Sequence, residues 1–179
     1  MTQKPDLPGT LVLETSRLLL RELGDEDAAF ILGLLNEPSF LRFIGDKGVR
    51  TVDDAVAYIR NGPRASYERN GFGLYLVALR ETGAAIGICG LVSRDWLDDP
   101  DIGFSLLPAY WSRGYAKEAA LSVLERSAAQ GIRRVLAITN RDNHDSIRLL
   151  KKLGFGYWED VRAPDGKEDL ALWCRDREP

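Results

Sequence analysis

Residues 101–120, DIGFSLLPAYWSRGYAKEAA, decide how the rest of the chain is read. Ile102, Phe104 and Leu106 alternate with smaller residues, the period of one face of a strand. After Pro108, the apolar positions Ala116, Ala119, Ala120, Val123 and Leu124 recur at helical spacing. A strand therefore hands over to a helix. The handover is Trp111-Ser112-Arg113-Gly114-Tyr115-Ala116, where the missing side chain of Gly114 and the small one of Ala116 let backbone approach a ligand closely. The first N–H groups of a helix have no partner within it and carry the positive end of its dipole. That combination suits phosphate oxygens.

Downstream, Gly131 reads as the stop of this helix and residues 135–139, VLAIT, as the next strand. A strand, a helix and a strand form a crossover unit, which places the two strands parallel. Residues 140–155, NRDNHDSIRLLKKLGF, then read as a helix capped by Asp142 or Asn143, with Ile147, Leu150 and Leu153 facing the core and Gly154 as a left-handed stop. Residues 156–162 and 168–174 flank Ala163-Pro164-Asp165-Gly166-Lys167, strong hairpin chemistry.

Upstream, residues 10–21 suggest one strand with a bend or interruption at Glu14-Thr15-Ser16-Arg17. Asp25 is the expected cap of a helix over residues 26–36, which Pro38 should stop, leaving residues 41–50 as a loop. Thr51 should cap a second helix through Ala55 and Ile59, and Asn61-Gly62-Pro63 should break or kink it. Residues 72–80 and 85–92 read as an antiparallel hairpin around Glu81-Thr82-Gly83, with Gly87 and Gly90 weakening or bending its second strand.

A chain of 179 residues suits one domain with a sizeable core and is short for two. Its 24 basic and 27 acidic residues give a net charge of −3, against the basic excess of a protein that coats nucleic acid. Cys89 and Cys174, the only cysteines, are too few for a disulfide framework or a cysteine-rich metal site. No apolar run has the length of a signal peptide or a membrane span, so the cytoplasm is the expected compartment.

A Gly-x-Ala turn alone closes many strand–helix units, but the longer run resembles the coenzyme A loop of the GNAT N-acetyltransferases, in particular their RimJ/RimL-like branch. The matching residues are Ile102-Gly103-Phe104, Pro108, Tyr110-Trp111, Arg113, Gly114-Tyr115-Ala116 and Glu118-Ala119. Trp111 stands where the broad family has Gln or Arg, a departure that suits the branch. A second segment is similar too, with Asn143, Ser146 and Lys152-Leu153-Gly154-Phe155, as is the opening Glu14-Thr15-Ser16-Arg17-Leu18-Leu19-Leu20-Arg21. The likeness runs from Leu11 to about Trp173.

The resemblance implies an α+β GNAT fold: a mostly antiparallel mixed sheet of about six to seven strands flanked by helices, with a central parallel pair splayed around acetyl-coenzyme A. One domain over residues 10–174 is expected, between a flexible start at 1–9 and a frayed end at 175–179. The implied activity is direct attack of a primary amine, a protein N-terminus or a small molecule, on acetyl-coenzyme A, without a covalent enzyme intermediate. Backbone at Arg113, Gly114, Tyr115 and Ala116 would hold the pyrophosphate, and backbone at Phe104, Ser105 and Leu106 the pantetheine arm. Asn143 would bond the pantetheine side and Ser146 would donate to the leaving thiolate, although each also reads as ordinary helix-start chemistry. Arg113, Lys117 and Lys152 would add positive charge near the phosphates or stand as solvated side chains. The expected partners are the acyl donor, the amine and a second copy in a homodimer, with no nucleic acid, membrane or metal.

The general base stays open among Glu118, Asp101, Glu159 and Asp160. His144, in a polar first turn, reads as exposed, and Cys89 and Cys174 read as packed thiols. Residues 40–49 and 96–100 are the expected acceptor-facing segments. Asp46, Asp98, Asp99 and Asp101 form either a cation-attracting cluster or a solvated one. A non-catalytic acyl-coenzyme A-binding module is the alternative of a different class. A dinucleotide-binding domain fits poorly, because no Gly-x-Gly-x-x-Gly follows a strand.

Overall fold

The computed structural model describes residues 8–164, 166 and 169–176. Residues 1–7 of the expected flexible start at 1–9, the turn residues Asp165, Lys167 and Glu168, and residues 177–179 lie outside them. Eight strands, β1 (Leu11–Glu14), β2 (Leu18–Arg21), β3 (Leu74–Leu79), β4 (Ala85–Val92), β5 (Asp101–Leu106), β6 (Arg134–Thr139), β7 (Gly156–Arg162) and β8 (Asp169–Asp176), form one sheet. Their order is β1-β2-β3-β4-β5-β6-β8-β7, and among the described residues only β5 and β6 run parallel. The sheet exceeds the expected strand number because the bend at Thr15 is a full reversal. Thr15 N–H donates to the Leu18 carbonyl at 2.9 Å, and β1 and β2 pair antiparallel. At the other end, Arg175 and Asp176 continue β8 rather than fraying, with Asp176 paired to Arg134 at 2.6 Å.

Helices cover both faces. On one, α5 (Tyr115–Ala129) and α6 (His144–Lys152) bury Ala119, Val123, Leu124 and Leu150 against Leu18, Val77, Ile102 and Val135. On the other, α1 (Ala28–Leu35), α2 (Pro38–Phe43) and α3 (Val52–Ile59) bury Ile31, Phe40 and Ile59 against Leu76 and Ile88. Two buried faces are why β3 and β4 read as nearly continuous apolar runs. Each fully buried leucine contributes roughly 1.5–3 kcal/mol.

Several local expectations are corrected. A short 3-10 turn at Asp25–Asp27 precedes α1; Gly24 opens it, and Asp27, not Asp25, accepts from the Gly24 N–H at 2.9 Å. Asp25 is occupied by Arg60 and Arg64. Pro38 starts α2 instead of only ending α1, since the first helical position needs no N–H donor. Thr51 caps α3 as expected, its hydroxyl accepting from the Asp54 N–H at 3.1 Å. Beyond α3 a widened π-type turn over Arg60–Arg64 absorbs Pro63, so the helix runs on into α4 (Ala65–Asn70) without a break. Gly90 does not weaken β4: a Cβ there would collide with the Gly73 carbonyl oxygen, so glycine permits the strand's close packing.

Candidate active site

Asp101 and Leu136 form the single paired position between β5 and β6, beside a 2.9 Å bond from the Leu136 N–H to the Pro100 carbonyl. Beyond it the two strands part. β5 keeps β4 on its other edge, so its edge past Ile102 faces the gap with no strand partner among the described residues. Phe104 and Ser105 are half-buried there and Leu106 is buried. Open strand edge offers main-chain donors and acceptors to an extended ligand.

The gap leads to the loop before α5. Trp111 Nε1 donates to the Leu106 carbonyl at 2.7 Å, tying the loop to the end of β5. Ser112 has φ 58°, the only positive value outside glycine among the described residues, and Gly114 follows at φ 80°. Left-handed residues on either side of Arg113 make a concave array of N–H groups, a conformation suited to anions and costly without a reason. None of the N–H groups from Ser112 to Lys117 donates to a described backbone carbonyl; the helix ladder starts at Glu118, which bonds Gly114 at 3.0 Å. Such an array can receive an anion. Tyr115 and Ala116 are half-buried, whereas Arg113 and Lys117 are exposed.

On the far side of the gap, Asn143 caps α6, its Oδ1 accepting from the Ser146 N–H at 3.1 Å. The cap therefore falls on Asn143 rather than Asp142. Ser146 is half-buried in the first turn of α6, the helix that follows the end of β6. Lys152 lies at the opposite end of α6, exposed. Asn140 Nδ2 donates to the Phe43 carbonyl at 3.3 Å, which draws the end of α2 over the β6 side.

The carboxylates are largely committed. Burial alone would raise the Glu118 carboxyl, but donors from Thr15, Arg17 and Ser16 outweigh it and hold it below its usual value. Glu118 is thus a structural acceptor, and its partners, a hundred residues away, leave no local pattern in the sequence. Asp101 is 1 % exposed, and burial pushes it upward against the opposing effect of Arg94, whose Nε lies 2.7 Å from its Oδ1. Asp160 pairs with Arg141, and Glu159 is exposed on β7.

Three of the four acidic residues expected to draw a cation are paired: Asp46 with Arg50, Asp99 with Arg134 at 3.9 Å and Asp101 with Arg94. Lys47 sits among them, its ammonium pushed down by burial and by Arg94, with Asp101 opposing. His144 is exposed, as expected. Cys89 is buried and its thiol is pushed up to about 12; Cys174 is half-buried and also raised by burial. Neither has the lowered pKa of a nucleophile. Among the described residues no group of three or more His, Cys, Asp or Glu could hold a metal, and no helix is long and apolar enough to cross a membrane.

Comparison with known proteins agrees with this fold. The family model described as an acetyltransferase (GNAT) domain matches residues 17–156. The uncharacterized N-acetyltransferase YoaA of Bacillus subtilis is 29% identical over 147 residues, covering 80% of this chain and 82% of its own. A putative GNAT-family acetyltransferase from Bordetella pertussis superposes with TM-score 0.76 at 25% identity, over 91% of this chain and 98% of that one. RimL, a ribosomal alpha-N-protein acetyltransferase solved in complex with coenzyme A, shares the fold with TM-score 0.77 at 15% identity, over 93% and 97%.

Proposed function

We propose, since the chain belongs to the GNAT acetyltransferase family, whose acyl donor is acetyl-coenzyme A, that it transfers the acetyl group to a primary amine by direct attack. The observation that carries this is continuous: the open edge of β5 runs into the unbonded N–H groups of residues 112–117. The donor supplies an activated thioester carbonyl. The protein supplies position and hydrogen bonds.

In this reading the N–H groups of Arg113, Gly114, Tyr115 and Ala116 hold the diphosphate, with Arg113 and Lys117 adding positive charge. Main-chain groups of Phe104, Ser105 and Leu106 align the pantetheine arm as an added strand would. Asn143 has Oδ1 engaged in the cap, which leaves its Nδ2 to donate toward the same arm. The Ser146 hydroxyl donates to the departing thiolate, lowering the cost of charge on sulfur. Lys152, at the far end of α6, contributes at most long-range positive charge. The acceptor enters between residues 40–49 and 96–100, and its class is a protein N-terminal amine or a small-molecule amine. The cytoplasm is the compartment that fits this use of a diffusible acyl donor.

The test is thiol release. Purified protein with acetyl-coenzyme A and a panel of peptide N-termini, polyamines and aminoglycosides should liberate coenzyme A faster than buffer for at least one acceptor. With that acceptor, Ser146→Ala should lower kcat by about a hundredfold and leave acetyl-coenzyme A binding within about twofold. Tight binding with no acceptor-dependent release across the panel would replace transfer with a binding module.

A further inference from the structure

The turn between β1 and β2 plays no part in the mechanism above, yet its side chains close on the start of α5. Glu118 Oε1 accepts from the Thr15 hydroxyl at 2.6 Å, the Ser16 hydroxyl at 3.1 Å and the Arg17 N–H at 3.0 Å. Its Oε2 accepts from Arg17 Nε at 2.7 Å and lies 2.6 Å from Nη2. The same guanidinium donates through Nη1 to the Arg113 carbonyl at 2.9 Å and stacks 4.5 Å from the centre of the Tyr115 ring. A Cβ built on Gly114 would stand 3.3 Å from its Nη2. One side chain thus touches Arg113, Tyr115 and Glu118 and lies against Gly114.

The turn is itself braced on the sheet. The Leu18 N–H donates to the Thr15 hydroxyl at 3.0 Å, the Arg80 N–H to the Arg17 carbonyl at 2.8 Å, and Arg80 Nη1 to the Thr15 carbonyl at 3.1 Å. Arg80 also pairs with Glu14 at 2.9 Å. Arg17 is therefore held from behind.

Resting on the acetyl-coenzyme A reading, we propose that Arg17 is a positioning residue for the diphosphate site, acting through the Arg113–Gly114 peptide and Glu118. In a planar trans peptide the carbonyl and the N–H point in opposite directions. Holding the Arg113 carbonyl against Arg17 aims the Gly114 N–H away from it, out of the loop. The second effect is electrostatic. Glu118 lies one turn into the helix whose N-terminus must accept an anion, and a bare carboxylate there would repel it. The paired guanidinium cancels that charge without occupying the N–H array.

Calorimetry with two ligands separates this role from a structural one. Coenzyme A carries the diphosphate; pantetheine, its thiol arm, does not. In Arg17→Ala the Kd for coenzyme A should rise about tenfold, equivalent to about 1.4 kcal/mol, while pantetheine binds as it does to the wild type. Arg17→Lys keeps the charge but not the fork, so the Kd for coenzyme A should rise by about threefold or more. It serves as the readout if the alanine variant does not fold. Coenzyme A affinity unchanged in both variants, or an equal loss for both ligands, overturns the inference alone. A wild-type protein that does not bind coenzyme A overturns the cofactor assignment as well.

Discussion

Glu118 shows how much a residue's neighbours decide. As one carboxylate among 27 acidic residues it is a formal candidate base; in the fold its two oxygens take donors from three consecutive residues of a distant turn. Burial works to raise its carboxyl, and those donors prevail and lower it. A lowered folded pKa makes the contribution to stability full above the unfolded value of about 4.3 and lost as pH falls through the folded one. Urea midpoints should therefore decline below about pH 4.3, and Glu118→Gln should flatten part of that decline. An unchanged acid slope in the variant would show that the latch carries no proton linkage. Asp101 has the opposite sign, because burial raises it and ionisation is what costs free energy there. Both residues were visible as carboxylates in the sequence; their partners were not.

At the scale of elements, α6 separates a cap from a ligand contact. Asn143 starts the helix, and in the proposed site its amide also donates to the pantetheine arm. Asn143→Ala should cost about 1 kcal/mol of stability, read from urea unfolding. Asn143→Ser keeps an oxygen for the cap, so its stability should stay within about 0.5 kcal/mol of wild type. Its coenzyme A affinity should still fall, since the amide donor is gone; affinity equal to wild type would leave Asn143 as a cap only. The boundaries of α5 and α6 were legible because apolar spacing and turn residues agree. α2 was not, since Pro38 suits a helix start and a helix stop equally, and only the packing of Phe40 among Ile31, Val49 and Ile59 selects the start.

Across the whole molecule, β2 is joined to the start of α1 by a buried ion pair. Arg21 Nη2 lies 2.6 Å and Nη1 2.8 Å from the Asp27 oxygens, with side chains 4% and 7% exposed. Asp27→Ala strands a buried guanidinium and removes the acceptor of the Gly24 N–H, so about 3–5 kcal/mol of stability should be lost. The paired replacement Arg21→Met with Asp27→Leu should recover much of it; guanidinium titrations of the variants measure both.

Local pattern by itself determined most of the element order, the hairpin of β3 and β4, the parallel relation of β5 and β6 and the family likeness of residues 101–120. Alternation, helical spacing and turn chemistry act between near neighbours and are written in short words of sequence. Only the tertiary structure decided that β5 and β6 share one paired position before parting, that Asp101 and Glu118 are spoken for, and that Arg17 grips the Arg113 carbonyl. Those outcomes depend on contacts between segments far apart in the chain, whose energies exist only once the sheet has brought the segments together.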